Sequence, residues 1–212
     1  MQELINKMIE TGVVPVVKID DADDAVNLAK ALRDGGINCA EITFRTAAAE
    51  QAIKNIHEAF PDMLIAAGTV LSTEQADKAI AAGATIIVSP GMNPEVVKHC
   101  NEKGWLIIPG ICTPTELEAA MALGLKYVKF FPAEAAGGVK MIKAMSAPYT
   151  MVKFMPTGGI STKNLEEYLN CKAVFCCGGS WMVPADKLAA KDFDAIRDLT
   201  AECTELLKKL RA

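Results

Sequence analysis

A chain of 212 residues is long enough to build one sizeable hydrophobic core and does not depend on disulfide staples. Hydrophobic residues make up 51% and charged residues 23%, with ten prolines and fifteen glycines scattered along the chain, which excludes disordered, collagen-like and low-complexity sequence. The formal charge is -4, and the one basic cluster is Lys208-Lys209-Leu210-Arg211 at the C-terminus, so nucleic acid is not an expected partner.

Residues 2–10 read as a helix. Charged residues, among them Glu3 and Lys7, stand where a signal peptide needs an apolar stretch, and no apolar run approaches the roughly 18 residues of a membrane span. A cytoplasmic protein without membrane contact is the expectation. Beyond this helix, short β-branched runs alternate with amphipathic segments. The predicted strands are Val13–Ile19, Ala40–Arg45, Leu64–Val70, Thr85–Ser89, Leu106–Gly110, Tyr127–Phe131, Val152–Pro156 and Val174–Gly178. After the first, Ala22, Ala25, Val26, Ala29 and Leu32 recur at the spacing of one buried helical stripe. Ser72-x-x-Gln75 and Thr113-Pro114-Thr115-Glu116 read as capping boxes, and Gly35, Gly83, Gly104 and Gly124 as helix stops.

Strands separated by helices are parallel. A doubly wound open sheet places a glycine-rich loop after its first strand, but Lys18-Ile19-Asp20-Asp21-Ala22 has no glycine and no strand is followed by GxGxxG. The fold expected is therefore α/β, a closed (βα)8 TIM barrel with the additional N-terminal helix, forming a single domain over residues 1–212. Seven cysteines without CxxC spacing suggest reduced, mostly buried thiols. Cys112 is the one nearest the site argued below and reads as packing. His57 and His99 fall in separate helices, so neither a zinc cluster nor a Ser-His-Asp triad assembles readily.

Barrel strands are covered on both faces, so a polar side chain inside one needs a reason. In Glu41-Ile42-Thr43-Phe44-Arg45 the alternation turns Glu41, Thr43 and Arg45 inward. A structural Glu41–Arg45 pair is the alternative to a functional role, but the two lie roughly 13 Å apart in an extended strand. Lys129, in Tyr127-Val128-Lys129-Phe130-Phe131-Pro132, is flanked by apolar residues near the catalytic end. An amine in such a setting is disposed to act as a nucleophile toward carbonyls, whereas a strand lysine can also simply snorkel to solvent. Lys153 starts its strand, at the opposite face, and Lys18 lies at an exposed strand end beside Asp20 and Asp21. Two glycine turns, Pro156-Thr157-Gly158-Gly159-Ile160-Ser161 and Cys177-Gly178-Gly179-Ser180-Trp181, follow the seventh and eighth strands, where barrels frequently hold phosphate. Tight packing turns are the competing explanation. Thr69 and Pro90 complete the rim, and either could serve ordinary turn chemistry.

Glu41-Ile42-Thr43-Phe44-Arg45-Thr46, Ala67-Gly68-Thr69-Val70-Leu71, Val88-Ser89-Pro90-Gly91, Val128-Lys129-Phe130-Phe131-Pro132-Ala133-Glu134, Pro156-Thr157-Gly158-Gly159-Ile160 and Gly178-Gly179-Ser180-Trp181 together resemble the class I aldolases that act on 2-keto-3-deoxy-6-phosphogluconate (KDPG) or 4-hydroxy-2-oxoglutarate (KHG). The resemblance runs in order over essentially the entire chain. It implies a homotrimeric Schiff-base enzyme without metal or cofactor, releasing pyruvate and glyceraldehyde 3-phosphate. It further implies Lys129 as the Schiff-base lysine, Glu41 as the general acid/base, and Arg45 with Thr69 on the pyruvate carboxylate. Gly158, Gly159, Gly179 and Ser180 would hold the phosphate, with Pro90, Phe131 and Thr157 lining the pocket. Lys18 departs from the pattern, since many relatives carry arginine there, and it loses the planar fork of a guanidinium. A phosphosugar isomerase or a non-catalytic trimeric scaffold on the same barrel are the other classes the sequence allows.

Overall fold

Apolar runs bounded by glycine or proline become strands here because helices cover their outer faces and side chains fill the ring they enclose. The computed structural model describes residues 1–211. The barrel opens with helix α1 (Gln2–Thr11) and strand β1 (Val13–Val17), followed by β2 (Cys39–Thr43), β3 (Leu64–Gly68) and β4 (Ile86–Val88). Next come β5 (Leu106–Ile108), β6 (Gly110–Ile111), β7 (Tyr127–Phe130), β8 (Lys153–Pro156) and β9 (Cys177–Gly179). Between them run α2 (Ala25–Asp34), α3 (Ala49–Ala59), α4 (Thr73–Ala81), α5 (Pro94–Lys103), α6 (Pro114–Ala122), α7 (Gly138–Ser146) and α8 (Leu165–Leu169), with α9 (Ala185–Ala189) and α10 (Phe193–Arg211) closing the chain.

All strand pairs are parallel. One run of pairs is β5-β4-β3-β2-β1-β9 and the other β6-β7-β8. The ring closes between β8 and β9 through the bridges Phe154–Val174 and Thr157–Gly178, and at its other seam by the chain running from β5 into β6. That fifth strand was expected unbroken over 106–110. Pro109 has no N–H to donate to a ladder, and it splits the strand in two. The eighth was expected over 174–178, but Val174 makes only the isolated bridge and regular pairing is confined to Cys177–Gly179 against Val13–Pro15.

The helix stripe is also corrected. Leu28 and Ala31 join Ala25, Ala29 and Leu32 in the core, whereas Val26 is half-buried within α2 and Ala22 is half-buried in a separate 3-10 turn (Ala22–Asp24). Thr113 and Glu116 form the expected reciprocal box at α6. At α4 the Ser72 side chain accepts from Gln75 N–H, but Gln75 reaches back to Leu71 N–H rather than to Ser72. All seven cysteines are free thiols, six of them buried. No described helix is long and apolar enough to cross a membrane.

Candidate active site

Strand alternation turns Glu41 and Thr43 of β2 into the ring, where they are 0% and 1% exposed. Arg45 does not follow them. Its N–H returns to the Thr43 carbonyl at 2.7 Å, so β2 ends at Thr43 and Arg45 is exposed at the rim. Thr43 still directs it, because its hydroxyl donates to the Val17 carbonyl at 2.9 Å and accepts from Arg45 Nε at 3.0 Å.

Lys129 enters from β7, with Gly110 and Met155 as its register partners, and is 5% exposed. Its Nζ lies 3.3 Å from Glu41 Oε1, joining two strands across the barrel interior, and 5.5 Å from the centre of the Phe131 ring. Two opposite charges in so dry a place are held at a cost in desolvation, which stability alone does not explain. Glu41 Oε2 is buried without a protein partner. The pair therefore offers an amine, a carboxyl oxygen within proton-transfer reach of it, and a second oxygen free to serve a reactant.

Gly68, at the end of β3, makes this arrangement possible. A Cβ there would lie 2.2 Å from Glu41 Oε1 and 2.7 Å from its Cγ. Beside it, Thr69 holds φ +57, a left-handed backbone that threonine adopts only under strain. Such strain recurs at ligand sites.

The remaining expected residues lie at or just beyond the C-terminal ends of β4, β7, β8 and β9. Pro90 is half-buried on the loop after β4, and Phe131, 36% exposed, follows β7. Thr157 is buried at the end of β8 with its hydroxyl unpartnered. A Cβ on Gly158 would touch the Phe131 ring at 3.5 Å, so the first glycine turn adjoins the pocket wall. Gly158 and Gly159 have φ +100 and +80, and each is confined to glycine-like backbone. The bridge from Thr157 to Gly178 brings the second turn alongside, with Gly179 buried and Ser180 exposed. Lys18 directly follows the C-terminal end of β1, paired with Asp20 at 2.6 Å, and Lys153 donates to the Lys172 carbonyl at the opposite end of β8 from Thr157. Among the described residues no cluster of three or more His, Cys, Asp or Glu side chains is arranged to hold a metal ion. Sequence reasoning assigned no role to Gly68 or Thr43. A glycine ending an otherwise apolar strand was the available signal for the first.

Residues 4–199 match the family model described as KDPG and KHG aldolase. The chain belongs to this family. It is 51% identical over 195 residues to the 2-dehydro-3-deoxy-phosphogluconate aldolase of Treponema pallidum, covering 92% of this chain and 93% of that protein. Among solved structures, KDPG aldolase from Legionella pneumophila, with pyruvate captured at low pH as a covalent carbinolamine intermediate, superposes with TM-score 0.91 at 40% identity, covering 94% of this chain and 97% of that one. The Zymomonas mobilis KDPG aldolase with 3-phosphoglycerate gives TM-score 0.89 at 38% identity, over 95% of both chains. The (βα)8 architecture read from the sequence is the architecture of this family.

Proposed function

We propose that this protein is a class I aldolase that cleaves 2-keto-3-deoxy-6-phosphogluconate to pyruvate and glyceraldehyde 3-phosphate, and 4-hydroxy-2-oxoglutarate to pyruvate and glyoxylate. The observation that carries the reading is the buried Lys129–Glu41 pair at 3.3 Å. Glu41 takes a proton from the Lys129 ammonium, and the neutral amine adds to the C2 ketone. Glu41 then gives a proton to the carbinolamine oxygen, which leaves as water, and the C2 iminium forms. As the C4 hydroxyl proton passes to Glu41, directly or through water, the C3–C4 bond breaks. Its electron pair moves into the enamine, and the aldehyde departs. Protonation at C3 and addition of water to the iminium release pyruvate and restore the amine.

In this reading Arg45 and Thr69 hold the C1 carboxylate, and the N–H groups of the two glycine turns, with Ser180, hold the phosphate. Pro90, Phe131 and Thr157 shape the space between. The reading also takes the protein to be cytoplasmic and, by family resemblance, a homotrimer, which light scattering would test.

Incubation with pyruvate followed by borohydride reduction traps only an iminium. A pyruvyl adduct on the Lys129 peptide is expected in mass spectra, and no turnover from Lys129→Ala. Glu41→Gln should slow turnover by about 10²–10⁴. A folded protein without adduct would return the fold to an isomerase or an inactive scaffold.

A further inference from the structure

The loops after β7 and β8 are bound to each other by more than the strand ladder. Ala133 N–H donates to the Thr157 carbonyl at 2.8 Å, and Glu134 N–H to the Gly158 carbonyl at 3.1 Å. Asn164, just ahead of α8, donates from Nδ2 to the Gly159 carbonyl at 3.1 Å. With both glycine carbonyls engaged on the protein, the N–H groups are the polar edge this turn retains for an anion. The Glu134 side chain lies directly on the turn, since a Cβ on Gly159 would meet its Cγ at 2.6 Å and its Cβ at 2.7 Å. The far end of that side chain is held by Tyr168 of α8, which is fully buried and donates its hydroxyl to Glu134 Oε1. Burial and the neighbouring carboxylate both push the Tyr168 hydroxyl pKa up, so it remains a donor across the working pH range.

We propose that Glu134 and Tyr168 are positioning residues for phosphate recognition, a clamp that holds the Gly158–Gly159 turn in its anion-binding shape. Neither touches the reacting atoms. The clamp also keeps the Glu134 negative charge fixed against the protein. Without the Tyr168 hydroxyl the carboxylate is free to turn toward the phosphate, and the resulting repulsion adds to the loss of turn geometry. The inference rests on the aldolase reading above, because it assumes that this turn meets the substrate phosphate.

The test separates phosphate recognition from Schiff-base chemistry by using pyruvate, which has no phosphate. KM and kcat for KDPG cleavage would be measured beside the pyruvate concentration giving half-maximal borohydride inactivation. Tyr168→Phe keeps the buried ring and removes only the hydroxyl. It should raise KM about tenfold, the fold-change if a loss at the low end of a buried hydrogen bond's cost passes into phosphate binding, while pyruvate half-saturation stays within about twofold. Glu134→Ala, which removes the charge together with the clamp, should raise KM in the same direction but less, Glu134→Gln should recover most of that loss because it keeps an acceptor oxygen, and Tyr168→Phe with Glu134→Ala should be no worse than Glu134→Ala alone. Unchanged KM, or equal shifts for KDPG and pyruvate, would overturn the clamp. If Tyr168→Phe does not fold, the comparison of Glu134→Ala with Glu134→Gln carries the same decision. Absence of a pyruvate adduct in the parent protein would instead overturn the aldolase reading itself, so the two failures are distinguishable.

Discussion

Gly68→Ala tests whether Glu41 must stand where it does. The new methyl would lie 2.2 Å from Oε1, so ordinary van der Waals contact requires the carboxyl group to withdraw by about 1 Å. That moves it off the 3.3 Å contact with Lys129 Nζ. Misplacing a catalytic group by about 1 Å can cost about 10²-fold in rate. The expected kcat for KDPG cleavage, followed by coupling pyruvate release to a dehydrogenase, is therefore lower by roughly that factor. KM should change less than kcat, because the rim arginine and the glycine turns are left in place and only the neighbouring Thr69 can shift with the new side chain. Overpacking of this kind destabilises by about 1–3 kcal/mol, which for a chain of this size lowers Tm by up to about 12 °C, so the assay belongs well below the transition. A Gly68→Ala enzyme that is folded and retains kcat within twofold would refute the reasoning, because Glu41 would then tolerate displacement from the amine.

Two further outcomes follow from burial and charge. Burial pushes the Cys39 and Cys203 thiols up to about 12 and Cys100 to about 11, and Cys112 alone is half-exposed. Thiol titration of the native protein should show one fast group, mapping to Cys112, and seven after unfolding in guanidinium; several fast groups would contradict the packing. At the start of α6, burial would raise the Glu116 carboxyl, but hydrogen bonds from Cys112 N–H, Thr113 N–H and the Thr113 hydroxyl outweigh it and hold it below its ordinary value. A lowered folded-state value stabilises above the unfolded carboxyl's pKa and is lost as pH falls through the folded one. The Tm advantage of the parent over Glu116→Gln should accordingly be full at neutral pH and shrink below about pH 4.5; a pH-independent difference would deny the carboxylate its capping role.

What could be read along the chain was whatever a single residue announces against its own neighbours. Glu41 and Lys129 stand out because they interrupt apolar strands, and strand period two then fixes which way they face. The same logic overreached at Arg45, because nothing in the one-dimensional pattern shows its N–H turning back to Thr43 and ending the strand. The fifth strand's break was legible in principle, since Pro109 cannot donate to a ladder, yet the flanking Leu106-Ile107-Ile108 outweighed it.

Gly68 and Tyr168 were hidden for a different reason. Each is ordinary in its own segment, a glycine at a strand end and an aromatic in an amphipathic helix, and acquires meaning only from a side chain on a distant element. Gly68 makes room for a carboxylate arriving from β2, and Tyr168 holds one arriving from the loop after β7. The reacting groups of a barrel must be chemically unusual for their strands, so they are conspicuous. The residues that place them need only the right shape, and ordinary side chains supply it. The geometry on which rate depends in the proposed mechanism, a contact of 3.3 Å between β2 and β7, is accordingly secured by residues whose identity conveys least until the strands are brought together.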